Sequence, residues 1–113
     1  MQWFMQRISL EASAREQLEL ATTHGGRAAH TVVGGHERVL RQTVIALLQG
    51  SELGEHENPG EASIYVLHGR VRLTSGQNSW EARTGDLIEV PTARHSLLAQ
   101  EDSAVLMTVA KLP

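Results

Sequence analysis

The first hydrophobic pattern in the chain has the spacing of an α-helix. Between Ser9 and Thr23, apolar side chains recur at intervals of three and four residues, and charged residues fall between them. The apolar positions are Leu10, Ala14, Leu18 and Ala21, with Leu20 beside them. Ser9 can cap the start of the helix, and the pair Gly25-Gly26 can end it. The pattern therefore predicts a short N-terminal helix over about residues 9–23, with a narrow apolar stripe that lies across a sheet.

After residue 27 the pattern changes to short apolar or alternating runs that glycine and proline separate. This punctuation is typical of an all-β chain. The candidate strands are Ala28–Val33, Val39–Leu48, Glu52–Glu57, Ala62–Leu67, Arg70–Thr74, Ser79–Arg83, Asp86–Val90, His95–Ala99 and Ala104–Lys111. Eight or nine strands in such a short stretch predict a sandwich or a barrel over about residues 28–111.

Composition narrows the classes of protein. The 113 residues, 41% of them hydrophobic, are enough for one ordinary core, so we expect a single domain over residues 1–113. The net charge of −3 provides no basic surface for nucleic acid or for an anionic membrane. The chain has no cysteine, no apolar run near the length of a membrane span, and no secretory signal in its first seven residues. These features favour a cytoplasmic protein.

Two stretches carry the candidate chemistry. The stretch 50–69 contains His56 and Asn58, which share one face of an extended segment because they are two residues apart. The stretch 85–95 repeats the order of glycine, short apolar run, proline and histidine, and it ends at His95. His56 and His95 could therefore meet inside one small β fold.

The two stretches resemble the motifs of the cupin superfamily, whose RmlC-like members are jelly-roll barrels with a metal or ligand site in the barrel mouth. The residues that fall on the first motif are Gly50, His56 and Gly69. The second histidine of that motif is Asn58 here, and its glutamate position is Ala62. Glu61 stands one residue earlier, so a regular strand would turn it to the opposite face.

The second cupin motif is also recognisable. The residues that resemble it are Gly85, Pro91, Ala93 and His95, with the histidine one position closer to the proline than usual. The resemblance covers roughly residues 39–109. It implies an all-β fold, a cupin jelly-roll β-barrel, which here follows a short N-terminal α-helix.

The resemblance implies a divalent transition metal, namely Fe, Mn, Ni, Cu or Zn, held by three imidazoles and a carboxylate. This chain keeps two imidazoles, Asn58 offers only a neutral carbonyl oxygen, and Ala62 offers no ligand. The candidate metal ligands are His56, His95, Asn58 and Glu61. The alternative is a metal-free pocket in which both histidines form hydrogen bonds.

One of Arg41 and Gln42 should enter the barrel cavity, because the two adjacent polar residues interrupt an apolar strand. Gln42 is the candidate for fixing a ligand. The expected ligand pocket consists of His56, Asn58, His95 and Gln42. Three further histidines, His24, His36 and His68, are expected at the surface, and strand parity leaves the direction of His30 open.

The leading functional hypothesis is a cupin that binds a small molecule in this pocket, with or without a weakly held metal. If it catalyses a reaction, the resemblance points to an isomerase, a lyase or a dioxygenase. The alternative is a non-catalytic metabolite-sensing or accessory module, and the sequence does not decide whether the protein is an enzyme. We also expect a homodimer, because small cupins commonly pair through their sheets and because Trp3-Phe4-Met5 needs cover.

Overall fold

The N-terminal helix begins at a serine cap. The structure, a computed structural model, describes residues 6–57 and 60–111. Helix α1 spans Leu10–Ala21, and the Ser9 hydroxyl accepts a hydrogen bond from the Ala12 N–H at 3.1 Å. The helix predicted from the apolar spacing is therefore confirmed, and it ends at Thr22. No helix in these two ranges is long and apolar enough to cross a membrane.

Nine strands follow the helix in the described part of the chain. They are β1 (Arg27–Val33), β2 (Leu40–Leu47), β3 (Glu52–His56), β4 (Gly60–His68), β5 (Arg70–Ser75), β6 (Asn78–Arg83), β7 (Leu87–Val90), β8 (His95–Ala99) and β9 (Ser103–Lys111). Each corresponds to one predicted run, and the predicted bounds differ from these by at most two residues.

The strands form two antiparallel sheets that enclose the core. The five-stranded sheet has the order β1-β2-β9-β4-β7, and the four-stranded sheet has the order β3-β8-β5-β6. Buried apolar residues from both sheets, such as Leu47, Ile64, Leu73 and Leu97, form one cluster between them. From β2 to β5 and from β6 to β9, consecutive strands alternate between the two facing sheets, and strands distant in sequence pair with each other. The fold is therefore the predicted all-β jelly roll with one short helix.

Helix α1 covers the outer face of the five-stranded sheet at β1 and β2, as its apolar stripe predicted. The buried face is wider than the predicted stripe. Ala14 and Ala21 are buried, and Leu10 and Leu18 are half-buried, as the stripe predicted. Ser13 and Gln17 are buried with them, whereas Leu20, placed beside the stripe, is 45% exposed.

One row of side chains crosses the inner face of the five-stranded sheet and bears on the site. Its members are Arg41, Val109, Ala62 and Val90, each directly paired with the next. Directly paired residues present their side chains on the same face. Since Val109, Ala62 and Val90 belong to the core, this inner row faces the four-stranded sheet.

Two short connections bring the inner row to the ends of β3 and β8. Strand β3 ends at His56, and after a connection of three residues β4 begins at Gly60, shortly before Ala62. Strand β7 ends at Val90, and after a connection of four residues β8 begins at His95. Both histidines therefore lie at the same end of the barrel as the inner row.

Candidate functional site

His56 is the last residue of β3, and His95 is the first residue of its neighbour β8 in the four-stranded sheet. The two residues are directly paired across β3 and β8. Their ring centroids lie 4.5 Å apart, and the ring planes are inclined by 58°. The structure thus brings together the two histidines that the sequence motifs singled out.

A β-bulge explains why His56 reaches the interior. Between Leu53 and His56 the register with β8 shifts, so that β3 contains one extra residue. Leu53 packs against the core. Regular alternation would turn His56, three residues later, to the opposite face, and the extra residue returns it to the side of His95. The sequence did not predict this bulge.

Both imidazoles are held by backbone carbonyls at the same ring nitrogen. His56 Nδ1 lies 2.8 Å from the Gly54 carbonyl oxygen, and His95 Nδ1 lies 3.0 Å from the Ala93 carbonyl oxygen. A carbonyl oxygen can only accept, so each Nδ1 carries the hydrogen and donates it. In each neutral ring, Nε2 is then left with a free lone pair.

The Nε2 atom of His95 is buried without a hydrogen-bond partner among the described residues. His95 itself is only 1% exposed, whereas His56 is half-buried. Buried polar atoms are nearly always hydrogen-bonded, because leaving one unpaired costs about 1–3 kcal/mol. An acceptor that is buried, unpaired and next to a second imidazole marks this end of the barrel as the candidate site.

Of the two other candidate metal ligands, Glu61 does not join the pair, and Asn58 lies outside the described residues. Ala62 is buried and faces the interior, whereas Glu61 is exposed on the opposite face of β4 with Ser63, as strand parity predicted. Within residues 6–57 and 60–111, no three side chains of histidine, cysteine, aspartate or glutamate converge as metal ligands would.

Gln42 lies on the other side of the five-stranded sheet from the histidines. It pairs with Thr108, and its amide nitrogen donates to the Thr108 hydroxyl at 3.1 Å. It shares a face with Val44 and Ala46, away from the core residue Ile45. Of the two polar residues that interrupt β2, it is therefore Arg41, in the inner row, that faces the barrel interior.

The sequence carried little signal to choose between Arg41 and Gln42. In the second half of β2, residues 44–47 are all buried, because α1 covers the outer face while the core covers the inner one. A strand that is buried on both faces shows no alternation of polar and apolar positions. The pairing with β9, which places Arg41 opposite Val109, decides the direction, and pairing is not visible in one sequence.

The remaining histidines lie away from the pair. His24, His36 and His68 are exposed, as expected from their turn positions. His30 is also exposed and pairs with Val44, so it belongs to the outer face of the five-stranded sheet. A cavity of about 700 Å³ is lined by Leu18 of α1 together with residues of the sheet and its loops, and neither His56 nor His95 lines it.

One surface carboxyl has a shifted pKa. Hydrogen bonds from Arg72 and then Gln100 lower the pKa of Glu81 on the exposed side of the four-stranded sheet. Glu81 is fully exposed and does not contact either histidine. This interaction therefore belongs to the surface and not to the candidate site.

A jelly-roll barrel with paired histidines at one end defines the class of small cupin-like barrels. The sequence model of the family described as "Cupin domain" matches residues 43–110, which is more than half of the chain. The chain therefore belongs to the cupin domain family. No match to a curated protein was found.

Solved structures support this assignment. A conserved protein of unknown function from Streptococcus pyogenes is 31% identical, with a TM-score of 0.70 over 77% of this chain and 75% of that chain. A cupin superfamily protein from Desulfitobacterium hafniense is 15% identical, with a TM-score of 0.70 over 76% of this chain and 78% of that chain. At this identity the second likeness concerns the fold alone.

A longer enzyme shares the same fold. A variant of the salicylate 1,2-dioxygenase from Pseudoaminobacter salicylatoxidans is 20% identical, with a TM-score of 0.75. The match covers 93% of this chain but only 35% of the dioxygenase chain. This chain therefore spans about a third of that enzyme, and the likeness again concerns the fold alone.

Proposed function

We propose that this cupin binds a small molecule inside the barrel, against the Nε2 atoms of His56 and His95. The observation that carries the proposal is the buried Nε2 of His95, which has no partner among the described residues. A ligand that donates a hydrogen bond to this atom would remove the cost of leaving it unpaired. His56 lies beside it, with the ring centroids 4.5 Å apart, and is half-buried, so part of its ring is accessible to solvent.

The two rings can position a ligand and accept a proton from it. Because each Nδ1–H is held by a backbone carbonyl, both rings keep their orientation while each Nε2 acts as an acceptor. An imidazole with a free Nε2 can accept a hydrogen bond or, in a reaction, act as a general base.

A divalent first-row metal fits this pair in part. Ligating histidines commonly hold their second ring nitrogen with a backbone carbonyl, as both rings do here. The carboxylate is missing, because Ala62 supplies no ligand and Glu61 faces outward. His56 and His95 would hold the ion, with Asn58 or water completing the shell, and we expect such binding to be weak. When bound, Fe, Mn, Ni, Cu or Zn would polarise a carbonyl or activate water or dioxygen.

The fold relatives suggest which compounds to test first. The salicylate 1,2-dioxygenase that shares the fold has also been solved in complex with gentisate, at 21% identity to this chain. Salicylate and gentisate each combine a carboxylate with a hydroxyl group that can donate to a free imidazole nitrogen. They are therefore suitable probes for the pocket, whether or not this chain transforms them.

Replacing His95 with leucine is expected to weaken ligand binding strongly with little change in stability. Leucine fills a similar volume, and removal of the unpaired Nε2 offsets the loss of the Nδ1 hydrogen bond to the Ala93 carbonyl, so the melting temperature should change little. The affinity for salicylate or gentisate, measured by calorimetry on metal-free protein, should fall at least tenfold, and the metal content of protein purified without chelator should fall as well.

His30→Leu is the matched control, because His30 is exposed on the outer face of the sheet. It should leave binding unchanged. If His95→Leu bound every ligand of the parent protein with the same affinity, the barrel site would be disproved. A large loss of stability with unchanged binding would show that His95 has a structural role.

An alternative function is a non-catalytic module that senses a metabolite. One observation favours it: three of the four inner-row residues, Val109, Ala62 and Val90, are apolar. They add no acid or base to the two imidazoles. A sensing module would bind its ligand at the same pair without changing it. Recovery of a bound ligand unaltered after long incubation with each candidate metal and with dioxygen would support this alternative.

We further propose that the protein is a homodimer. The strand β1 lies at the open edge of the five-stranded sheet, and Val39 and Leu40 nearby are exposed apolar residues. Trp3, Phe4 and Met5, which first suggested an interface, lie outside the described residues. Light scattering after size exclusion at micromolar concentration should give twice the chain mass of 12.4 kDa. A mass equal to one chain would contradict the dimer.

Two expectations from the sequence stay predictions here. Cytoplasmic location can be tested by fractionating cells that express the full-length protein at its natural level. Organisation as a single domain can be tested by limited proteolysis, which should leave one resistant fragment that contains both α1 and β9.

A further inference from the structure

Arg41 places a positive charge on the inner row, whose other members are apolar. We propose that the small molecule bound by the histidine pair carries a carboxylate, and that Arg41 binds this carboxylate. This inference rests on the proposed function, since it concerns the same pocket, and it specifies the chemical class of the ligand: a small carboxylic acid that also has a hydrogen-bond donor.

The strand register fixes the direction of Arg41. Strand β2 pairs with β9 without interruption from Leu40 to Leu47, so no bulge changes the alternation of its side chains. Arg41 is therefore on the same face as Ile45 and opposite Val109, and both of these residues belong to the core. Its side chain is half-buried.

The guanidinium of Arg41 makes no hydrogen bond or ion pair with another described residue. Three other arginines, namely Arg70, Arg72 and Arg94, each lie within 4.0 Å of a glutamate. The remaining described arginines without such a partner are exposed to water, whereas Arg41 is half-buried. A guanidinium stays charged at any physiological pH. Leaving it unneutralised beside an apolar wall is unfavourable, and a carboxylate can neutralise it through two parallel hydrogen bonds.

Among the described residues, no carboxylate oxygen lies within 4.0 Å of a side-chain nitrogen of Arg41, His56 or His95, and Glu57, next to His56, is exposed. Ala62 stands in the inner row where cupins usually have a glutamate, and Glu61 faces the opposite side of the sheet. Glu55, near the end of β3, lies 3.7 Å from Arg94 and is largely exposed. The pocket therefore combines the positive charge of Arg41 with two imidazole rings, which favours an anion over a free dication.

The relative positions of these groups define the rest of the ligand. Arg41 belongs to the five-stranded sheet, whereas His56 and His95 belong to the facing four-stranded sheet at the same end of the barrel. A ligand whose carboxylate meets Arg41 extends across the interior toward the two Nε2 atoms. Because these atoms are acceptors, the group that reaches them is a hydroxyl or an N–H.

The test compares acids with their amides, which have the same shape but no charge. Calorimetry is performed on metal-free parent protein with salicylate against salicylamide, and with lactate against lactamide. We expect the parent to bind at least one acid ten times more tightly than its amide. Arg41→Met should remove this preference by weakening acid binding at least tenfold while leaving amide binding unchanged, and Arg41→Lys should restore part of it.

Arg83→Met is the control for the change in net charge, because Arg83 is exposed on β6 and follows the inward-facing Ala82. It should keep the full preference for the acid. The melting temperature of each variant is measured without ligand, and Arg41→Met should be at least as stable as the parent, since it places an apolar side chain in an apolar row.

Three results would overturn the inference. They are equal affinity of the parent for each acid and its amide, an equal loss of acid binding in Arg41→Met and Arg83→Met, and no binding of any of the four compounds to the parent. The proposed function is tested separately by His95→Leu. If that variant loses both acid and amide while Arg41→Met loses neither, the histidine pocket stands and the carboxylate inference is wrong.

Discussion

Replacing Ala62 with glutamate is expected to turn the histidine pair into a tighter metal site. Ala62 faces the interior from the inner row, at the end of the barrel where β3 and β8 bring the two histidines together. A carboxylate at this position adds a third ligand and the negative charge that offsets a dication. We expect the affinity for Co²⁺, measured by calorimetry and by its visible spectrum, to increase at least tenfold.

The same substitution should destabilise the metal-free protein. Ala62 is buried, so four additional heavy atoms, two of them the oxygens of a charged carboxylate, must be accommodated in a packed core. Overpacking alone costs about 1–3 kcal/mol, and Arg41 in the same row limits the added cost of the charge. Bound Co²⁺ should then raise the melting temperature of Ala62→Glu more than that of the parent, because binding to the folded state stabilises it.

Two variants separate the effect of position from that of charge. Ser63→Glu introduces the same side chain on the opposite face of β4 and should leave the affinity for Co²⁺ unchanged. Ala62→Gln has nearly the same size as Ala62→Glu but no charge, and it should give only a small gain. If Ala62→Glu bound Co²⁺ no better than Ser63→Glu, the histidines and the inner row would not share a cavity.

The Ala62→Glu variant also connects the two proposals for this pocket. Its carboxylate would occupy the anion site that we assign to Arg41. We therefore expect the variant to lose affinity for salicylate and lactate while it gains affinity for Co²⁺. A metal-binding variant that still bound both acids as tightly as the parent would place the carboxylate site elsewhere in the protein.

The strands were predictable because their signals are local. Glycine and proline separate the runs, and every predicted run forms a strand whose bounds are within two residues of the prediction. The helix was predictable for the same reason, through the Ser9 cap and the apolar spacing. The full width of its buried face was not, because burial of Ser13 and Gln17 depends on how the helix lies on β1 and β2.

The candidate site was only half predictable, because its geometry depends on long-range pairing. The meeting of His56 and His95 followed from two motifs that resemble those of cupins. The bulge after Leu53, the tautomers set by Gly54 and Ala93, and the direction of Arg41 come from the registers between strands and from backbone contacts. A single sequence carries no direct signal for them.

Replacing Gly69 with alanine is expected to lower the free energy of unfolding by about 3–5 kcal/mol. Gly69 lies in the turn between β4 and β5 with φ of +96°, a conformation that strains any residue with a Cβ. A Cβ at this position would also contact the Ser103 hydroxyl and lie 2.8 Å from Ser103 Cα. The backbone at Gly69 cannot shift away easily, because two hydrogen bonds to Thr84 hold it. The Gly69 N–H donates to Thr84 Oγ1 at 2.9 Å, and the Gly69 carbonyl accepts from the Thr84 N–H at 3.0 Å.

Gly85→Ala is the matched control, because it separates the strain of positive φ from the close approach of another strand. Gly85 has φ of +92°, but a Cβ there would meet no atom within 4 Å. We expect Gly85→Ala to cost about 1–2 kcal/mol, the value for backbone strain alone. Urea unfolding of the parent and both variants measures the loss in free energy of unfolding for each variant, provided that the m-value stays constant. The larger loss at Gly69 would show that the glycine closing the first motif is required because Ser103 packs directly against its backbone, whereas equal losses would leave backbone strain as the whole explanation.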